Sequence, residues 1–339
     1  MSDVSLTLLG LRRIGVSMGL ALRRYEKSGR ASHHFVITGY DKEASAGKEA
    51  QRLGAIDAYE RRLDAACANA DLIIVDATLS QLREYLEAIG PALKAGCVIV
   101  EMTRLKQPPI QWAERYLPES AYLVGLAPVL NPSALFTVAA DNDLSAASAD
   151  LFDHGNLFIA ASPTCPAEAV QLASDLVRLL GLEPHYLEPA EHDGLVAAIG
   201  LLPALMGVAE LNVAVSAPSW KDMRRLTNPA FALVTTALLG DPTDLVDALT
   251  LDRSNVTHYL DRALQQLQAL RATLAQGDDA TLRSALAEAS TQYLKWLSQR
   301  ESDNWQDRPS MQVPTVRSGI LHSLLGGLAP GSRKDEDKD

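Results

Sequence analysis

Aromatic residues make up only 5% of the 339-residue chain, so Leu, Ala and Val must fill its core. Cysteine is scarce as well. Cys67, Cys97 and Cys165 show no Cys-x-x-Cys spacing and sit among small or apolar neighbours, as reduced buried thiols do. Acids outnumber bases, 42 to 31, for a formal charge of −11, and no basic cluster offsets them. A negative surface repels phosphate backbones, which argues against nucleic-acid binding. The start, MSDVSLTLLG, has neither a basic segment nor a long apolar one, so no signal peptide is expected. No uninterrupted apolar run reaches membrane-spanning length, and no membrane role is expected. These absences together predict a cytoplasmic protein. Gly-x-Ser-x-Gly, phosphate-loop and zinc patterns are missing too, and His33-His34 lack partners at metal-ligand spacing. No metal site is expected.

What is present is enough chain for about two domains. Short apolar runs alternate with helical patterns through the first half. Val4–Leu9, His34–Tyr40, Ala70–Ala77, Cys97–Val100, Ala121–Val124, Leu157–Ala161 and Glu183–Leu187 read as strands, and Ile14–Lys27 as a helix. Near-continuous apolar strands separated by helices predict a doubly wound α/β domain, a parallel sheet covered on both faces. Beyond residue 188 the signal is helical, with three- and four-residue apolar spacing in Leu195–Val215, Leu245–Leu274 and Ala280–Leu297. Breaks fall at Ala217-Pro218, Gly240-Asp241-Pro242 and Gly277-Asp278-Asp279. The expected organisation is a Rossmann domain over 1–188, a helical domain over 189–328 and a disordered tail over 329–339, rich in Gly, Pro and charge.

The first strand runs into Gly10-Leu11-Arg12-Arg13-Ile14-Gly15. A Gly-rich turn between strand and helix seats a pyrophosphate on the helix N-terminus, where free N–H groups and the helix dipole attract anions. The usual pattern is G-x-G-x-x-G. The first and third glycines are in place and Arg12 replaces the second. Arg12 either fills the pyrophosphate position or swings out to pair with phosphate. Gly39-Tyr40-Asp41 closes the second strand, and an acid there accepts ribose hydroxyls and favours NAD over NADP, with Lys42 blurring the preference. The expected cofactor contacts are Gly10, Arg12, Arg13, Ile14, Gly15, Asp41, Lys42 and Thr78. The alternative is a Rossmann sheet whose dinucleotide site is vestigial.

Several stretches in order resemble the prephenate and arogenate dehydrogenases. They are Gly39-Tyr40-Asp41, Gly54-Ala55-Ile56-Asp57, Ala70-Asp71-Leu72-Ile73-Ile74, Leu93-Lys94-Ala95-Gly96, Lys106, Val124-Gly125 with Pro128, Glu191-His192-Asp193, Val196-Ala197 and Leu202-Pro203. The resemblance covers roughly residues 4 to 260. It implies a Rossmann domain followed by a helical dimerisation domain, an NAD(P)-dependent oxidative decarboxylation, and an anionic small-molecule substrate bound near the domain junction. It also implies a catalytic His in a Gly-Gly-His-Pro stretch. This chain reads Gly125-Leu126-Ala127-Pro128 there, which puts Ala127 at the position of the base. The family's acid, Ser and Lys after the fourth strand appear as Glu101, Arg104 and Lys106. Its Ser-His-Leu-Pro-His appears as Gly200-Leu201-Leu202-Pro203-Ala204, and its Thr-Arg pair as Thr235-Thr236. Alanine accepts no proton and leucine binds no carboxylate, so ordinary prephenate oxidation is not expected. The resemblance leaves open an oxidoreductase with another substrate or base, and a non-catalytic dinucleotide-sensing or partner-binding descendant.

Two weak catalytic candidates remain. His192 is either a replacement acid/base or a residue shaping the domain junction. Arg104, after the fourth strand, either binds an anion or forms a surface ion pair, with Glu101 as the group that orients it. Lys106 is expected to start a surface helix, and His154 and His185 to lie in loops. The apolar Leu195–Val215 helix fits burial in a homodimer interface. It contains no Lys, which disfavours the Lys-based chemistry of β-hydroxyacid dehydrogenases.

Overall fold

The computed structural model describes residues 2–29, 31–136 and 140–302. The expected end of the helical domain at 328 and the tail over 329–339 lie outside the described residues.

The chain begins with β1 (Ser2–Leu9), α1 (Arg13–Lys27), β2 (His33–Tyr40), α2 (Ala44–Arg52), β3 (Ala58–Tyr59), α3 (Leu63–Cys67) and β4 (Leu72–Val75). It continues through α4 (Leu79–Ile89), β5 (Val98–Glu101), α5 (Gln107–Tyr116), β6 (Tyr122–Val129), β7 (Asn156–Ala161), α6 (Ala167–Leu179) and β8 (Pro184–Tyr186). These strands form one sheet in the order β3-β2-β1-β4-β5-β6-β7-β8. β1 pairs with β2 along its whole length, from Ser2 opposite His33 to Leu9 opposite Tyr40.

Strand β4 shows why the sheet is covered on both faces. Its four residues are all buried, and they alternate. Leu72 and Ile74 join a core with Met18 and Leu22 of α1 and Leu172 and Leu176 of α6. Ile73 and Val75 join a second core with Leu82, Leu86 and Ile89 of α4. A two-residue side-chain period sends successive apolar residues to opposite faces, so a strand buried on both sides reads as a continuous apolar run.

The sheet departs from the expected parallel pattern at one joint. β6 and β7 are antiparallel, with Val129 opposite Asn156. The end of β6 therefore faces the start of β7 and the chain simply reverses, whereas a parallel neighbour would need a crossover connection back to the opposite edge. The two-residue edge strand β3 carries no periodic signal and was not expected. His185, expected in a loop, lies in β8.

From Pro189 the described chain is helical: α7 (Pro189–Val196), a π-type turn over Ala197–Leu201, α8 (Leu202–Ser216), α9 (Trp220–Met223) and α10 (Pro229–Thr235). Then come α11 (Pro242–Leu251), α12 (Arg253–Gln276) and α13 (Asp279–Ser302). The single helix expected over Leu245–Leu274 is broken at Asp252, whose φ of −112° and ψ of 34° leave the helical region. Gly277, at φ 67°, ends α12 in the left-handed conformation that suits glycine and turns the chain into α13. α7, the π-type turn and α8 form one continuous run of 28 residues that is, by length and composition, apolar enough to cross a membrane. Glu191, His192, Asp193 and Glu210 interrupt its apolar sequence, so no uninterrupted apolar run reaches that length, although the helix continues through them. Much of the run is uncovered: Ile199 is 78% exposed and Val213 71%.

A third apolar cluster joins the two parts. Leu79 and Leu105, at the C-terminal edge of the sheet, pack with Ala197, Leu201, Ala248 and Val256. Helical-domain residues are thereby fixed directly above the ends of β4 and β5.

Candidate nucleotide and substrate site

Gly10 ends β1 with φ 79°, and a Cβ there would lie 1.9 Å from the Asp76 carbonyl oxygen. Only glycine fits this turn. Beyond it opens a cleft of about 710 Å³ whose wall brings together five of the expected contacts: Gly10, Arg12, Asp41, Lys42 and Thr78. The other three lie beneath it. Arg13 is buried, its Nε donating to the Ala146 carbonyl at 3.3 Å. Ile14 packs against the core. Gly15 is buried in α1, and an added Cβ would come within 2.8 Å of the Gly10 carbonyl.

The first N–H groups of α1 are already engaged. Arg13 N–H donates to the Asp141 carbonyl at 2.8 Å. Gly15 N–H donates to Asp76 Oδ2 at 2.7 Å. Asp76 follows β4, is only 7% exposed, and its backbone N–H is tied to Leu9. Burial pushes its carboxyl up to about 6, and Asp141 pushes the same way. The nearby Arg12 guanidinium and the N–H groups of Gly15 and Ile14 pull against this. Arg12 turns outward, and its Nη2 pairs with Asp141 Oδ2 at 2.9 Å. Asp41 accepts from Leu11 N–H through Oδ2 and from Glu43 N–H through Oδ1, both at 2.8 Å. Burial raises the Tyr85 phenol in the same wall, and Asp41 adds to the shift.

A second pocket, of about 550 Å³, adjoins the first, and Asp141, Leu239 and Asp241 line both. Its wall is largely apolar, with Gly200, Ala204, Leu205, Val208 and Leu249 on it, and Arg104 at its edge. Arg104 Nε lies 3.4 Å from Asp244 Oδ2. Asp244 Oδ1 in turn accepts from Leu79 N–H at 2.9 Å, at the start of α4, where Thr78 and Gln81 form a capping box. The carboxylates on this wall are Asp141 and Asp241. Asp241 caps α11 by accepting from Thr243 N–H at 2.8 Å.

Lys106 is corrected from surface to core. It is fully buried, its Nζ donating to Glu101 Oε1 at 2.9 Å and to the Thr103 carbonyl at 2.7 Å. Glu101 therefore holds Lys106 and Thr103, and Arg104 is oriented by Asp244 instead. His192 is also buried, with Nδ1 2.9 Å from Asp193 Oδ1. It stands outside both pocket walls. Asp193 accepts from Lys106 N–H at 2.7 Å and Gln107 N–H at 2.9 Å, capping α5 from the helical domain. Ala127 lies half-buried in β6 opposite Phe158.

Residues 19–183 match the prephenate dehydrogenase nucleotide-binding domain, and residues 188–288 the prephenate dehydrogenase dimerization domain. The chain belongs to the prephenate dehydrogenase family. Prephenate dehydrogenase of Bacillus subtilis (strain 168) is 21% identical over 282 residues, covering 82% of this chain and 72% of that protein. Cyclohexadienyl dehydrogenase of Zymomonas mobilis is 21% identical over 275 residues, covering 80% and 89%. The fold is that of A. aeolicus prephenate dehydrogenase, crystallised with hydroxyphenyl propionate and NAD+ (TM-score 0.74, 17% identity, 87% of this chain and 99% of that one). Synechocystis arogenate dehydrogenase has it too (TM-score 0.65, 19% identity, 86% and 100%).

As a prephenate dehydrogenase family member, the chain carries a nucleotide-binding domain. Asp41, just after β2, lies on the wall of the cleft. Two N–H donors at the start of α1 are held by Asp76 and by the Asp141 carbonyl. Sequence reasoning missed Asp76, Asp141, Asp241 and Asp244. Asp76 had a visible signal, an acid closing the otherwise apolar Leu72-Ile73-Ile74-Val75. Asp141 lies in a loop, Asp241 caps α11 and Asp244 sits in its first turn, positions where a carboxylate reads as ordinary surface.

Proposed function

We propose that this chain is an NAD-dependent oxidoreductase of prephenate dehydrogenase type whose substrate is an apolar, singly anionic small molecule and not prephenate. The observation that carries this reading is the wall the two pockets share, which includes Asp141, Leu239 and Asp241. In this reading Arg104 grips the substrate's anionic group, with Asp244 steering the guanidinium. Asp241 takes the hydroxyl proton in the place of the histidine that Ala127 replaces, since it is a carboxylate on the wall that both ligands share. A bound nicotinamide would supply hydride acceptance. The apolar wall of Ala204, Leu205 and Val208 favours a substrate without the second carboxylate of prephenate, because burying an unpaired carboxylate is costly.

The helical domain, from residue 189, supports a homodimer in the same reading. It matches a dimerization domain and leaves Ile199, Val213 and Leu226 largely uncovered.

The test is NADH formation from NAD with a panel of hydroxylated apolar monocarboxylates and with prephenate. Turnover of a panel member, with KM raised by Arg104→Leu and kcat lowered about 10²–10⁴-fold by Asp241→Asn, is expected. Efficient turnover of prephenate would overturn the substrate assignment. A non-catalytic dinucleotide-sensing or partner-binding protein is the second reading, favoured by Ala127. Dinucleotide binding with no turnover across the panel would select it.

A further inference from the structure

The connection from β6 to β7 walls both pockets through Asp141, and an arginine from the last helix holds that connection at its base. Val129 and Asn156 are the final ladder pair of the two strands. Just past that pair the antiparallel ladder supplies no donor, and the carbonyls of Leu130 and His154 need partners from elsewhere. Arg300 of α13 provides them. Its Nη2 donates to the Leu130 carbonyl and its Nη1 to the His154 carbonyl, the latter at 3.4 Å. One planar guanidinium therefore spans the two ends of the connection. The ends are tightly drawn: His154 takes φ 56°, and a Cβ at Gly155 would lie 2.3 Å from the Val129 carbonyl oxygen.

The contact is confined to this one side chain. Among the described residues of α13, Arg300 alone is buried, at 4% exposure. It lies beyond residues 188–288, the part that matches the dimerization domain. Taking a guanidinium out of water is costly unless its donors are used, and here they are used on the connection.

From this base the connection is tied step by step to α1. Asp150 and Asp153 pair with Arg24. Ser148 N–H donates to Ser17 Oγ at 3.0 Å, and the Ala146 carbonyl accepts from Arg13 Nε. Asp141 closes the series, holding Arg12 through its carboxylate and the Arg13 N–H through its carbonyl. A displacement at the base is thereby passed along to the residue that lines both pockets.

We propose that Arg300 is a positioning residue for the nucleotide cleft and the pocket beside it: by clamping both ends of the β6–β7 connection, it fixes Asp141 in their common wall. The proposal rests on the NAD reading above and adds a residue that governs affinity from outside both pocket walls. With the clamp in place the wall is built before a ligand arrives. Without it, binding must also order the wall, and affinity falls.

The experiment is an NADH titration of the full chain, followed by nicotinamide fluorescence, on the wild type, Arg300→Ala and Arg300→Lys, with circular dichroism to show that each is folded. Kd is expected to weaken about tenfold in Arg300→Ala and to recover most of that loss in Arg300→Lys, which keeps charged donors at the site. Amide hydrogen exchange of the unliganded proteins supplies a readout that a general loss of stability would not give. The Arg13 and Ser148 amides, both bonded across the connection, are expected to exchange faster in Arg300→Ala, while the amides of α4 and α5 keep their wild-type rates. Should Arg300→Ala fail to fold, Arg300→Gln, with one donor group for two carbonyls, is expected to weaken binding about threefold with the same local exchange. Wild-type affinity in the Ala variant would overturn the role of Arg300 and leave the NAD reading standing. Faster exchange spread evenly through α4 and α5 would also overturn it, as simple destabilisation. Failure of the wild type to bind NADH at millimolar concentration would remove the NAD reading, and this proposal with it.

Discussion

Asp76 makes a stability prediction at the scale of a single residue, apart from any ligand. Its folded-state value, about 6, lies above the ordinary carboxylate value, so the native state holds the proton more tightly than the unfolded chain does. The stability that goes with this is present below about pH 4, declines as pH rises through 6, and is gone above it. Asp76→Asn keeps an acceptor for Gly15 N–H and carries no charge. It should match the wild type near pH 4 and exceed it by about 2–3 kcal/mol at pH 8, read from urea denaturation at the two pH values. Single residues were the hardest thing to read in the chain. Gly10, Arg12, Asp41, Lys42 and Thr78 meet on one cleft wall, and of these Gly10 and Asp41 carry local signatures, a glycine turn and an acid after the second strand. Arg13 looked equivalent to Arg12, and only the loop lying over it shows that it points to Ala146. Lys106 looked like a surface cation because burial of a lysine depends on a partner, Glu101, whose reach across the turn no spacing rule specifies.

Elements were read more faithfully, for reasons that also mark where the reading failed. Long strands buried on both faces and long amphipathic helices each leave a periodic trace. The two-residue β3 and the short α9 and α10 are too brief to leave one. The break at Asp252 is invisible because apolar spacing carries through it from α11 into α12. The elements of this fold are also joined by carboxylates at helix starts: Asp76 at α1, Asp244 at α4 and Asp193 at α5. Two of the three come from the helical domain, so they cap a Rossmann helix and fasten the domain junction together. Asp193→Ala would leave Lys106 and Gln107 N–H groups without their acceptor. A loss of about 1–2 kcal/mol is expected from denaturant unfolding, with faster amide exchange at the start of α5. An unchanged exchange rate there would show that the cap does not hold the junction.

For the whole molecule, the match to the dimerization domain and the uncovered apolar surface of the continuous helix Pro189–Ser216 point to a second copy of the chain as its cover. Ile199→Glu places a charge on the most open part of that helix and should convert a dimer to a monomer by light scattering after gel filtration. Retention of the dimer would place the contact elsewhere. The order of a sheet domain followed by helices was legible from the change in periodicity near residue 188. Which helical surface stays open was not, because an apolar helix looks the same in sequence whether its own chain or another covers it.

The partition between the two cavities, built from two segments far apart in sequence, belongs to neither alone. Asp141, Leu239 and Asp241 are masonry for both rooms, so a guest in one cannot shift that partition without reshaping the other. By thermodynamic linkage, whatever factor the first guest imposes on the second is returned in full.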